Sequence, residues 1–226
     1  MGFMAVPPAR AELISLDFGT SGSPLESGRE AAATAANAVF GSANDWDAVN
    51  FPNFTAHAIT NPSFSNLADS TGAATSVGMS FTGTFHGFSG FNNPSSDALR
   101  KDYLYFNDGG SDSANLGWTI TGLTPGDIYA LFAYGSNAGN SDWTIGVNGV
   151  NKAVSEDSGT AYYASVVASV TGTISGVADG DGISGDEADW SGLQLADVTP
   201  APAPEPASLA LLLSGILGLG ALRRRA

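Results

Sequence analysis

From Val77 to Phe85 the chain alternates residue by residue: Val77, Met79, Phe81 and Phe85 are apolar, while Gly78, Ser80, Thr82 and Thr84 are small or polar. A period of two sends one set to each face of an extended strand, so this stretch reads as half-buried β structure. The same reading makes a strand of Leu13–Phe18, ended by Gly19, and of Tyr103–Phe106 and Trp118–Thr121. Leu123-Thr124-Pro125-Gly126-Asp127 is a turn, because proline fixes φ and glycine accepts a positive one. Ile128–Tyr134 is apolar on both faces and reads as a central strand. Trp143, Ile145 and Val147 lead into Asn148-Gly149, the pair that best fits a two-residue hairpin, with Val150–Val154 returning. Ala161–Val170, Thr173–Ile174 and Leu193-Gln194-Leu195 complete the strands. Only Glu26–Val39, rich in alanine, has a helix-forming composition. Many short strands cut by turns, with no sustained helical period, predict an all-β fold built as a β-sandwich over residues 12–198.

About 190 residues suffice for one hydrophobic core. Of the 22 acidic residues 21 lie between 12 and 200, against 4 of the 8 basic ones, which leaves this domain with a net charge of −17. Such a surface repels nucleic acid and anionic lipid and attracts divalent cations. The absence of cysteine excludes disulfides and thiol chemistry.

The C-terminus follows other rules. A proline-rich spacer over 199–206 ends in Pro204-Glu205-Pro206. The 16 residues of 207–222 carry no charge, and Arg223, Arg224 and Arg225 follow before the closing Ala226. As a helix this run spans about 24 Å, against about 30 Å of bilayer core, and snorkelling arginines extend its reach. The reading is a single C-terminal transmembrane helix with a basic stop, 223–226, held in the cytoplasm and the preceding domain outside. The tripartite order of Pro204–Ser208, the apolar span and the arginine cluster resembles the PEP-CTERM sorting signal of bacterial exported proteins. The resemblance implies recognition by an exosortase-type processing enzyme, cleavage near Pro204–Pro206, and delivery to the cell surface or extracellular matrix of an exopolysaccharide-producing bacterium. Export also predicts an N-terminal signal. Ala9-Arg10-Ala11 has the small-x-small form of a cleavage site, so residues 1–11 read as the remnant of a secretory signal peptide whose fuller form lies upstream.

A second likeness covers most of the domain. The opening Leu16-Asp17-Phe18-Gly19, the middle Ile120–Gly126 with Tyr129, and the closing Trp190-Ser191-Gly192-Leu193-Gln194-Leu195 resemble the galactose-binding-like jelly-roll domains of bacterial surface proteins. This resemblance implies a jelly-roll-like β-sandwich whose first strand pairs with its last.

Two regions carry candidate binding chemistry. Tyr134 and Asn137, with Asp142 and Trp143, combine aromatic rings, an amide and a carboxylate, as a glycan platform requires; the alternative is that both rings are core residues at strand ends. Between 179 and 189 the aspartates Asp179, Asp181, Asp186 and Asp189 sit among glycines and offer hard oxygen donors to Ca²⁺, though without the EF-hand spacing; the alternative is a solvated hairpin loop. No other cofactor is expected. His57 and His86 lie in no metal motif, and neither a Gly-x-Ser-x-Gly elbow nor a phosphate-cradling glycine loop is present. The expectation is therefore a non-enzymatic surface or matrix protein, structural or adhesive within exopolysaccharide. A glycan-binding module stands second and a polysaccharide-degrading enzyme third.

Overall fold

The computed structural model describes residues 13–20, 47–51, 58–89, 99, 102–107, 112–135, 143–154, 159–180 and 188–200. The chain divides into two units, Arg10–Thr199 and Met1–Ala9 with Pro200–Ala226, and every strand among the described residues belongs to the first. Its strands are β1 (Leu13–Thr20), β2 (Asp47–Phe51), β3 (Ile59–Thr60), β4 (Ser63–Phe64), β5 (Gly78–Thr82), β6 (Thr84–Ser89) and β7 (Asp102–Phe106). They continue as β8 (Asn115–Thr121), β9 (Ile128–Gly135), β10 (Trp143–Val147), β11 (Val150–Val154), β12 (Thr160–Val167), β13 (Ile174–Asp179) and β14 (Ala188–Asp197). One sheet runs β12-β9-β14-β7-β6-β3, with β1 beside β14 and β2 beside β1; the other runs β11-β10-β13-β8-β5-β4. Every pairing between strands is antiparallel except β1–β2. The fold is an all-β sandwich.

First and last strands pair, Leu13 opposite Ala196 through Asp17 opposite Gly192. β14 is therefore interior. It holds β9 along one side, and β7 and then β1 along the other. This explains why nine of its ten residues are buried, although only Leu193–Leu195 reads as a strand from sequence. The inward residues of both sheets meet around Trp190. Its ring contacts Phe18 at 5.2 Å, Trp143 at 5.5 Å, Phe81 at 5.8 Å and Trp118 at 6.1 Å. Each such side chain contributes about 1.5–3 kcal/mol by leaving water, so this aromatic knot is a principal source of stability.

The alternation over 77–85 is real but belongs to two strands. Val77, Met79, Phe81 and Phe85 are all buried, yet β5 lies in one sheet and β6 in the other. The change falls at Gly83, whose φ of 132° is closed to other residues, and so the run turns a corner of the sandwich without losing its phase. Two turns match their sequence signals. Asp127 N donates to Thr124 O across Pro125-Gly126, with Gly126 at φ 81°. Asn148 and Gly149, at φ 49° and 81°, close the β10–β11 hairpin. Tyr129, just after the first turn, accepts the Thr124 N–H on its Oη at 3.1 Å and pins the loop to the start of β9.

Some boundaries differ from expectation. β12 stops at Val167 because Ser169 N donates to Thr173 O and Gly172 takes φ 69°; the expected continuation to Val170 is a turn that leaves Val170 93% exposed. β13 runs on to Asp179, since Gly176 and Ala178 keep the inward phase with side chains too small to register as apolar pattern. Glu26–Val39 and the span 207–222 lie outside the described residues, among which no helix is long and apolar enough to cross a membrane.

Candidate functional site

The two rings expected to grip a glycan are in the core, as the alternative reading had it. Tyr134 is fully buried beside Phe132, and its Oη donates to Gln194 Oε1 at 2.6 Å. Trp143 is buried between Trp190 and Phe106. Neither can stack on a sugar from there, which corrects the expected platform at these two positions. Asn137 and Asp142 lie outside the described residues.

The aspartate set is split in a similar way. Asp179 is on β13 and Asp189 on β14, in different sheets. Each follows an inward alanine, Ala178 and Ala188, so the pleat turns both carboxylates outward, to opposite faces of the sandwich. These two do not gather round one ion. Asp181 and Asp186 lie outside the described residues, among which no three histidine or acidic side chains form a metal-holding group.

The outer face of the larger sheet brings other groups together. His86 on β6 stands opposite Tyr105 on β7, which stands opposite Asp189 on β14. The imidazole stacks on the Tyr105 ring at 5.4 Å and 20°. Its Nδ1 lies 2.7 Å from Asp112 Oδ1; the carboxylate side chain is only 2% exposed and the imidazole 20%. Asp112 reaches this position because the next residue is stapled to β6: Ser113 N donates to Thr84 O and Thr84 N to Ser113 Oγ, both at 2.9 Å. No sequence signal joins residues 86 and 112. The pairing comes from a loop folding back onto a strand, and the only legible hint is a lone histidine next to an inward phenylalanine, Phe85.

Nδ1 and the carboxylate oxygen are close but lack hydrogen-bond geometry, so what holds the ring is its stack on Tyr105. A stacked, partly exposed ring with a hydrogen-bonding edge and a buried carboxylate behind it suits a hydroxyl-rich ligand. General-base chemistry further needs a reacting group within hydrogen-bond reach. Among the described residues His86 hydrogen-bonds no hydroxyl that could serve as a nucleophile.

A second polar feature lies on the same sheet. Among the described residues Ser15, Asp17, Asp189, Ser191 and Gln194 are buried polar residues on the first and last strands. Gln194 links two of these strands' neighbours, accepting from Tyr134 and donating from Nε2 to Ser15 Oγ at 2.9 Å. The closing motif Trp190–Leu195 is thus half core and half polar seam.

No protein-family model matches the chain, and no curated protein does. Solved structures match in part. Protein YXIM of Bacillus subtilis is similar at 12% identity and TM-score 0.45, over 85% of this chain and 42% of that one. A Podospora anserina GH26-CBM35 β-(1,4)-mannanase is similar at 13% identity and TM-score 0.34, over 51% of this chain and 24% of the mannanase. TmCBM61, solved with β-1,4-galactotriose, is similar at 11% identity and TM-score 0.30, over 52% of this chain and 86% of the module. The chain thus spans less than half the length of the first two, and at these scores no ligand, site or reaction passes from any of the three to it.

Proposed function

We propose that this chain is an exported bacterial surface or matrix protein, sorted by its C-terminal segment and non-enzymatic in its β-sandwich. The observation that carries the proposal is the order Pro204-Glu205-Pro206, uncharged span, Arg223-Arg224-Arg225. A span read this way needs its arginines inside and the domain outside. The PEP-CTERM resemblance adds an exosortase-type enzyme that cuts near Pro204–Pro206. The domain itself is a galactose-binding-like jelly roll in this reading, acting in exopolysaccharide as a structural or adhesive part. Its strongly acidic, cysteine-free surface fits an extracellular setting.

The experiment is fractionation of the native host with intact-mass measurement. Extracellular protein lacking the residues after about Pro204 supports sorting; full-length protein left in the cytosol rejects it. Replacing Arg223–Arg225 with serine should leave the precursor uncut or misoriented.

A second reading, a dedicated glycan-binding module, is favoured by the His86–Tyr105–Asp112 cluster. Retention on an immobilised neutral glycan that is lost in His86→Ala, with melting unchanged, supports it. Retention that does not depend on His86 assigns any sugar contact elsewhere.

A further inference from the structure

A groove of about 370 Å³ opens on the flank of the sandwich, between the edge strands β11 and β12 of the two sheets. Two reciprocal contacts clasp these edges. From β12, the Tyr163 hydroxyl reaches the carbonyls of Ile145 and Val150 in the β10–β11 hairpin, the latter at 2.9 Å. From β11, Lys152 Nζ donates to the Tyr162 carbonyl and sits 4.8 Å above the Tyr163 ring. Burial pushes the Tyr163 hydroxyl up to about 12, so it stays a donor at any physiological pH.

Lys152 is unusual in this molecule. It is the only lysine or arginine among the described residues, in a domain with a large excess of acids. No carboxylate lies within ion-pair reach of it among those residues, and none of the described residues lining the groove is acidic. An ammonium has three protons, and one is used on Tyr162. The lining supplies the rest of a recognition surface. Val150 and Val167 are 55% and 52% exposed, and Asn148 and Ser165 add polar groups at the hairpin tip and at the irregularity where β12 leaves its register with β9.

We infer that this groove binds a carboxylated sugar unit, a hexuronate residue, with its carboxylate on Lys152 and the C–H face of its ring on Val150 and Val167. Charge selects the carboxylate, because the Lys152 ammonium has no acidic partner among the described residues. The hydroxyls select a sugar over a fatty acid: Asn148 Nδ2 is engaged on the Val167 carbonyl at 3.5 Å, and the Asn148 Oδ1 and the Ser165 hydroxyl at the exposed rim offer bonds that only a hydroxylated ligand can take. The volume lies at the small end of ligand sites and suits one or two sugar units. The site is separate from the His86 cluster and rests on neither the sorting proposal nor the glycan reading of that cluster.

The test uses the full-length chain and saturation-transfer NMR with galacturonate and digalacturonate, against galactose as the neutral control. The uronates should bind at millimolar concentration and galactose should not. Lys152→Gln should weaken uronate binding at least about tenfold, as loss of a charge-assisted contact does, whereas Lys152→Arg should retain it. Val167→Asp, at a half-exposed position that leaves the clasp intact, should also abolish binding by placing a like charge at the groove mouth. Equal responses from galactose and galacturonate, no response from either uronate, or binding that survives both Lys152→Gln and Val167→Asp overturns the inference.

Discussion

Gln194 on the last strand donates its amide to the Ser15 hydroxyl on the first at 2.9 Å, while its carbonyl accepts the Tyr134 hydroxyl at 2.6 Å. One buried amide thus joins β14 to its neighbours on both sides. Gln194→Leu takes a hydrogen-bond partner from each of two buried hydroxyls and should cost about 2–3 kcal/mol in denaturant unfolding. The triple change Gln194→Leu, Tyr134→Phe, Ser15→Ala should recover most of that loss, because the donors and acceptors of this seam are removed together. A triple variant no more stable than the single one would show that packing, not hydrogen bonding, governs the seam.

Trp143→Ala should act as a core deletion. Its ring packs on Trp190 and Phe106 away from solvent, so truncation should cost about 3–5 kcal/mol. Any sugar affinity of the folded fraction should be unchanged, read by titration well below the lowered melting temperature.

The strands that could be read in the sequence are those whose inward residues are large. Trp143–Val147, Val150–Val154 and Ile128–Gly135 have strong patterns or a diagnostic Asn-Gly turn, and they lie within a residue of expectation. β13 extends beyond its legible part, Thr173–Ile174, because glycine and alanine carry its inward phase. The corner at Gly83 was invisible because parity continues unbroken from Phe81 to Phe85 while the partner sheet changes. The candidate site was less legible for the same kind of reason. Tyr134 and Trp143 flank a polar loop in sequence, but β9 is buried on both faces and Trp143 faces the core, and the pattern of one strand does not report what covers it. His86 and Asp112 come together through the Ser113–Thr84 staple, a tertiary contact with no local period.

The Tyr163 hydroxyl offers a pH test. The folded protein keeps its proton up to about 12, whereas the unfolded chain releases it near 10.0. Folding then holds more protons than unfolding between these values, so this group's contribution is complete below pH 10.0 and is lost as pH rises towards about 12. Melting temperature should fall across that window, and the fall should be shallower in Tyr163→Phe, which starts from a lower stability because two carbonyls lose their donor.

Asp112→Asn replaces a buried carboxylate that lies 2.7 Å from the His86 imidazole and leaves the stack of that ring on Tyr105 in place. The His86 ring resonances should shift in long-range ¹⁵N–¹H correlation spectra. Unchanged resonances would mean that the carboxylate does not shape the surroundings of the ring.

The interior position of β14 has a mechanical consequence. The chain leaves this strand at Asp197, and whatever follows draws on it from that end. A pull along the strand meets the β9 ladder on one side and those of β1 and β7 on the other, loaded together in shear, so many hydrogen bonds must break at once instead of peeling one by one. A force applied beyond Asp197 would thus be met by three ladders at once, and the hairpin β10–β11 on the other sheet would carry little of the load.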